Sequence, residues 1–283
     1  MNYREFIQDG WRDCAVVAHR GIWREAPENS LPAIGQAIEE GCDVVEIDVR
    51  RSADGGLFLL HDETLARMAG LDQAPETLPS HWLSALKLRS RDGSGEGGVT
   101  GHHLPRLEEV FELARGRIFL HLDVKDRSVI PEVIACARDQ RVDQQVNFWG
   151  DLRTPQDLDW VRQVIEPHGL LFMAKTRLNQ ADSELQKWLL AELAPSLCEV
   201  YFDDVAQIKA LNRSLGRGGP AFWVNTLDSV SCAGLTDTAA LADPDAVWGL
   251  LIDAGVSVIQ TDETATLQSY LATRRIRNAR TTR

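Results

Sequence analysis

Two histidines, an arginine and two charged pairs, with their spacing, carry the chemistry in this sequence. His19 and Arg20 follow the apolar run "CAVVA" and precede a glycine. Glu46 and Asp48 lie two residues apart in "CDVVEIDV", and Asp123 and Lys125 lie two apart in "RIFLHLDVK". His61 follows the short apolar piece "GGLFLL". On a strand, residues i and i+2 share a face, so Glu46 and Asp48 project together, about 6–7 Å apart along the chain. A third carboxylate, Asp123, delivered by a neighbouring strand would complete an all-oxygen site. Such a donor set suits Mg²⁺ or Ca²⁺ rather than zinc. Two histidines suit proton removal and proton delivery near neutral pH, and Arg20 and Lys125 add positive charge for an anion. These residue types together point to metal-assisted phosphoryl chemistry. Each has a plainer reading: acidic pairs mostly sit on solvated faces, strand-end histidines are often only satisfied polar groups, and Lys125 could merely pair with Asp123. Convergence favours chemistry, because burying several charges with no cation or anion among them is costly.

The elements that must position these groups follow from hydrophobic patterning. Eight mostly continuous apolar runs read as strands buried on both faces: "CAVVAH", "CDVVEIDV", "RIFLHLDV", "QQVNFW", "GLLFMAK", "CEVYFD", "AFWVNT" and "VSVIQTD". Eight amphipathic stretches alternate with them. Ser30, Thr154, Ser183 and Asp243 read as helix caps, the last with Pro244 at the first helical position, and Gly41, Gly116, Gly169 and Gly255 read as helix ends. The alternation predicts an α/β fold, a (β/α)8 TIM barrel, with a doubly wound open sheet as the other arrangement it allows. In a barrel every group named above falls at the C-terminal end of a strand, where active sites form. From Leu65 to Leu104 the rhythm breaks. The segment contains "RSRDGSGEGGVTGHH" and reads as an insertion after the second strand, with a short helix near "LPSHWLSALK". The expectation is one catalytic domain over residues 1–283 that contains this insertion.

The 283 residues are 44% hydrophobic and 25% charged, an ordinary globular balance, and the net charge is −12. A nucleic-acid partner, which calls for a basic face, is not expected. The single basic cluster, "TRRIRNARTTR" at residues 273–283, reads as a surface helix end. No apolar run approaches the roughly 20 residues of a membrane span, and the N-terminus lacks the apolar core of a signal peptide. The five cysteines are scattered singly, which fits a reducing, cytoplasmic location.

Taken in order, "AHRG", "PENS", "GCDVVEIDVRRSADGGLFLLHDETLAR", "LPRLEEV", "LDVK", "WVN" and "IQTD" resemble the glycerophosphodiester phosphodiesterases. The block from His19 to Asp62 is the specific part, and the whole series runs from Val17 to Asp262. The resemblance implies a TIM barrel with an insertion after its second strand. It implies His19 and His61 as the general acid/base pair, Glu46 and Asp48 as ligands of a divalent cation, and Arg20 and Lys125 as holders of the phosphate. It places Trp223 where an aromatic ring packs on the glycerol. The implied reaction hydrolyses a small-molecule glycerophosphodiester to glycerol 3-phosphate and an alcohol. The glycerol 2-hydroxyl attacks first, and water then opens the cyclic phosphate. The chain departs from the family at Asp123, where glutamate is usual; the charge survives with a reach one methylene shorter. Two alternatives stay open: a phospholipase D-type lyase that releases the cyclic phosphate, and a non-catalytic phosphate-binding barrel.

Overall fold

The computed structural model describes residues 1–9, 13–95, 97–216 and 218–281, with side chains described as far as residue 276. The fold is a (β/α)8 barrel. Its strands are β1 (Ala15–His19), β2 (Val44–Arg51), β3 (Phe119–Val124), β4 (Val146–Asp151), β5 (Leu171–Arg177), β6 (Leu197–Tyr201), β7 (Ala221–Leu227) and β8 (Val256–Thr261). They are ordered β1-β8-β7-β6-β5-β4-β3-β2, with β1 and β2 also neighbours. All eight runs expected as strands are strands. Val44, Val45, Ile47 and Val49 on β2 are fully buried on alternating faces, as a strand in the middle of a parallel sheet must be.

Helix signals in the sequence hold with two changes. The Ser30 hydroxyl accepts from the Ala33 N–H, and Thr154 forms a capping box with Asp157. Gly41, Gly116, Gly169 and Gly255 all take positive φ after their helices. Ser183 does not cap: it is the first residue of helix Ser183–Leu193, and Asp182 stands at the cap. What Asp182 lacks is a bond from a helix backbone N–H; its carboxylate accepts from the Arg153 guanidinium and the Gln186 side chain. The last crossover holds a helix at Asp237–Ala242 that the apolar pattern did not signal, ahead of a π-turn at Asp245–Gly249 and helix Leu250–Asp253. Asp243 accepts from the Ala246 N–H at the start of that turn. The basic cluster enters the closing helix, Thr264–Thr281, and the side chains of its residues 277–283 lie outside the described residues. No described helix is long and apolar enough to cross a membrane.

The chain divides into two compact units, Ala18–Val146 and Met1–Val17 with Asn147–Arg283. In the first, β2 pairs in parallel with β3, setting Glu46 opposite His121 and Asp48 opposite Asp123. The "GGLFLL" piece forms strand Leu57–Leu59, antiparallel to β2. The insertion is folded: it contains helices Ala66–Ala69 and Ser80–Leu83 and an antiparallel pair, Lys87–Arg89 with Val99–His103. It has its own apolar cluster, in which Phe58, Leu60, Leu65, Met68, Leu83, Leu88 and Leu104 are buried together. Each such side chain contributes about 1.5–3 kcal/mol on burial, enough to order a segment otherwise rich in glycine and polar residues. In the second unit, β4 through β8 pair in parallel. Behind β7 and β8 the buried Asp237 carboxylate accepts from the Thr226 and Thr261 hydroxyls and the Asp262 N–H.

The chain leaves β1 through a tight turn. Arg20 and Gly21 both take positive φ, +57° and +87°. A non-glycine residue in the left-handed region costs roughly 1–2 kcal/mol, offset at Arg20 by the bond from its N–H to the Glu46 carbonyl and by the Asn29 N–H bonded to its own carbonyl. At Gly21 no side chain fits, since a Cβ would lie 2.7 Å from the backbone of Ala33. Gly21→Ala is therefore expected to destabilise the fold by about 1–3 kcal/mol through strain and overlap, read as a lowered urea midpoint with an unchanged slope. A midpoint equal to that of the parent would contradict this account of the turn.

Candidate active site

Strands β2 and β3 and the turns that leave β1 and β3 bring five expected residues together. Glu46 and Asp48 share a face of β2, and Asp123 stands beside Asp48 on β3. One carboxylate oxygen from each of the three lies within 4.8 Å of the others. Lys125 follows Asp123 by two residues, and its Nζ contacts Asp48 Oδ1 and Asp123 Oδ2, both at 2.6 Å. Arg20 Nε approaches Asp48 Oδ2 at 3.3 Å, and its NH1 donates to Glu28 at 3.1 Å. The Arg20 backbone N–H also donates to Glu46 Oε2 at 3.1 Å. Asp123 thus does both things that its spacing allowed: it joins the acidic cluster and pairs with Lys125. His19 ends β1 immediately before Arg20. His61 follows the short strand on β2, with Nδ1 2.9 Å from Asp62 Oδ1 and its ring partly exposed.

The electrostatics of the cluster are strained. Asp48 is 1% exposed and Glu46 is also buried. Burial pushes the Glu46 carboxyl well above the usual range, and the charges of Asp48 and Asp123 push it further; Arg20 and Lys125 pull back only in part. For Asp48, burial acts in the same upward direction, but the charges of Lys125, Arg20 and His61 outweigh it and hold the carboxyl well below its ordinary value. Burial lowers Lys125 and Arg20, and the surrounding carboxylates more than reverse that, so both cations are raised. The site therefore has one carboxylate fully committed to cations, at Asp48, and one for which no adequate counter-charge is supplied, at Glu46.

Three contributors were not singled out from the sequence. Asn29, in "PENS", takes φ +50° and donates Nδ2 to Asp48 Oδ2 at 2.6 Å while its Oδ1 accepts the Asp48 N–H at 3.0 Å. Glu28 beside it is 3% exposed and joins Arg20 to Arg67. Arg67 also holds Asp62, the partner of His61. The one available signal was the polar "PENS" run ahead of a helix cap, a pattern in which asparagine tolerates the left-handed region.

In the second unit the strand ends form a separate network. Lys175 Nζ lies 3.9 Å from the centre of the Trp149 ring and 3.1 Å from Glu199 Oε2. Asn225 Nδ2 donates to Glu199 Oε1 at 2.9 Å, and Trp223 Nε1 donates to Asn225 Oδ1 at 2.7 Å. The resemblance implied ring packing on glycerol for Trp223. That indole is 1% exposed, so its ring offers almost no surface to a ligand, and what it visibly does is orient Asn225 and, through it, Glu199. Asp203 and Asp204, also at a strand end, are structural: Asp204 caps helix Val205–Leu215 and Asp203 accepts from Asn179.

Comparison with known proteins bears out the family resemblance. A glycerophosphodiester phosphodiesterase of Caldanaerobacter subterraneus subsp. tengcongensis is 33% identical over 116 residues, 41% of this chain and 46% of that protein. One of Bacillus altitudinis is 31% identical over 113 residues, 39% of this chain and 45% of that protein. The chain thus spans about half the length of the curated relatives it matches. A solved glycerophosphoryl diester phosphodiesterase of Parabacteroides distasonis superposes with a TM-score of 0.72 at 21% identity, covering 95% of this chain and 90% of that one. At this identity the match speaks for the fold. A family model described as a domain of unknown function matches residues 172–271.

The raised Glu46 makes stability depend on pH in a defined direction. Without a bound cation, the folded chain retains a proton on Glu46 that the unfolded chain gives up at lower pH. Its stability is then greatest below the ordinary glutamate range and falls as pH rises towards the raised value. Glu46→Gln removes that fall. In chelator, the variant is expected to melt above the parent at pH 8, with the gap closing towards pH 4, by calorimetry across that range. A gap independent of pH would show that Glu46 carries no such strain.

Proposed function

We propose that the chain is a metal-dependent phosphodiesterase that hydrolyses glycerophosphodiesters to glycerol 3-phosphate and an alcohol, acting as one catalytic domain over residues 1–283. The observation that carries this reading is the convergence of Glu46, Asp48 and Asp123 within 4.8 Å, bordered by Arg20 and Lys125. The donor set is all carboxylate oxygen, and one buried member lacks a sufficient counter-charge. Both features fit a hard divalent cation, Mg²⁺ or Ca²⁺, held by these three residues. When bound, such a cation supplies Lewis-acid stabilisation of negative charge on the phosphate oxygens.

The remaining work falls to the chain's own groups. Arg20 is held at its NH1 by Glu28 and Lys125 by two aspartates. Both are pre-oriented cations for the nonbridging oxygens and need little rearrangement when negative charge develops. His61 is oriented at Nδ1 by Asp62, which leaves Nε2 to exchange a proton with substrate. His19 is the second member of the pair. One histidine takes the proton of the attacking hydroxyl and the other gives one to the leaving oxygen. The roles exchange when water opens the cyclic phosphate left by attack of the glycerol 2-hydroxyl. A solved phosphodiesterase of Oleispira antarctica, described in complex with the product sn-glycerol-3-phosphate, shares the fold at a TM-score of 0.64 and 21% identity, covering 90% of this chain and 95% of that one. It supports a small-molecule phosphodiester as substrate. The five cysteines are free thiols, which supports a reducing, cytoplasmic setting.

A panel of glycerophosphodiesters assayed with and without chelator, with products identified by phosphorus NMR, tests the reading. Glycerol 3-phosphate is expected, and chelation is expected to abolish its formation. Full activity in chelator would remove the metal, and a cyclic phosphate as the end product would make the protein a lyase. His19→Ala and His61→Ala are each expected to lower kcat by roughly 10²–10⁴ on substrates with alkyl leaving groups; near-parental turnover in either would cancel that histidine's role. Asp123→Asn is expected to raise the metal concentration for half-maximal activity by about 10–100-fold, and Asp123→Glu much less. An unchanged metal dependence with a raised KM in the Asn variant would restrict Asp123 to orienting Lys125.

A further inference from the structure

Resting on the reading of His61 as an acid/base, we infer that Arg67 is a positioning residue through which the insertion sets the geometry of both His61 and Arg20. Its guanidinium has three donor nitrogens, and each is used. Nε donates to Asp62 Oδ2 at 2.7 Å and NH2 to Asp62 Oδ1 at 2.8 Å, a two-pronged grip. NH2 also donates to Glu28 Oε1 at 2.6 Å. NH1 donates to the Asp92 carbonyl. One planar group therefore holds two carboxylates. Asp62 in turn faces His61 Nδ1 at 2.9 Å, and Glu28 holds Arg20 NH1 through both its oxygens at 3.1 Å.

The consequence for His61 is chemical as well as steric. An anionic acceptor at Nδ1 selects the tautomer with the proton on Nδ1, which leaves Nε2 as the base when the ring is neutral. The hydrogen bonds from Arg67 are the leading reason that Asp62 lies down at about 2 and stays anionic. A lysine at position 67 would keep the charge, but it has no planar fork with which to hold Asp62 at both oxygens and Glu28 at once.

Arg67 itself is placed by the insertion. It lies on the short helix Ala66–Ala69, flanked by Leu65 and Met68 in the insertion's apolar cluster. The turn that presents the Asp92 carbonyl runs through Gly93 at φ +70°, where a Cβ would stand 2.7 Å from the Arg67 carbonyl oxygen. The same turn grips the segment carrying Glu28: the Glu28 N–H donates to the Arg91 carbonyl at 2.8 Å and the Arg91 N–H to the Ala26 carbonyl at 3.1 Å. A segment that reads as a polar loop is thus anchored to the "PENS" residues on its backbone and to His61 through a side chain.

The test has two arms. The first needs no turnover: the tautomer of neutral His61 is read from its ring nitrogens by NMR in the full-length parent, Arg67→Ala and Arg67→Lys. The parent is expected to show the proton on Nδ1, and both variants a shift towards Nε2. An unchanged tautomer in both overturns the inference. The second is a double-mutant cycle on kcat between Arg67→Ala and His61→Ala. Arg67→Ala alone is expected to cost about 10–100-fold, with partial restoration by added guanidinium ion. In the His61→Ala background it is expected to cost clearly less, what remains being the part that acts through Glu28 on Arg20, because residues that act through one another do not add. Full additivity, with thermal melts showing all variants folded, overturns the inference. If the parent hydrolyses no member of the phosphodiester panel, the functional reading fails and the tautomer arm still decides the role of Arg67.

Discussion

Three carboxylates held within 4.8 Å of one another in a largely buried place are the constraint that the rest of the first unit answers. The register of β2 on β3 creates it by setting Asp48 against Asp123, with Glu46 on the same face. Like charges at this distance, out of water, do not stay ionised together without compensation. Lys125 answers from the same strand as Asp123, Arg20 from the turn after β1, and Asn29 by hydrogen-bonding Asp48 at both its carboxylate and its backbone. What those groups leave uncompensated is concentrated on Glu46. That uncompensated negative charge is what the proposed cation would answer.

Each answer brings its own structural demand. Arg20 reaches Asp48 from a left-handed backbone, so the next residue must tolerate positive φ at close quarters with Ala33, and only glycine does. Glu28 is buried and needs cations, and it takes one from the turn after β1 and one from the insertion. The folded insertion, with its own apolar cluster, makes the second of these available. Charge compensation thus propagates outward from β2 and β3 to the "PENS" loop and then to a segment some forty residues further along the chain.

The second unit solves a smaller version of the same problem differently. Glu199 is buried on β6 and is met by one ammonium, Lys175, and one amide, Asn225. The lysine sits over Trp149 and near Tyr201, where aromatic faces add favourable electrostatics to a desolvated cation. Glu199 is thereby both paired and hydrogen-bonded. The buried Asp237 is likewise met, by two hydroxyls and a backbone N–H.

The sequence by itself determined the alternation of strands and helices and most of the candidate site; the closure into a barrel was implied by the family resemblance and decided by the strand order. Continuous β-branched runs alternating with capped amphipathic stretches can only be buried as strands between helices, so the eight strands were legible, as were Glu46, Asp48, Asp123 and Lys125 from two-residue spacing. Asn29, Glu28 and Arg67 were not, because their roles depend on partners 19 and 39 residues away that no local period encodes. Ser183 was misread as a cap because its own neighbour, Asp182, occupies that position. The shielding of Trp223 could not be read from the sequence either, since an aromatic residue at a strand end looks the same whether its ring is open or covered. Tertiary structure decided these matters for one reason: periodicity tells which face a side chain occupies, while charge pairing and shielding depend on which distant residues are packed against that face.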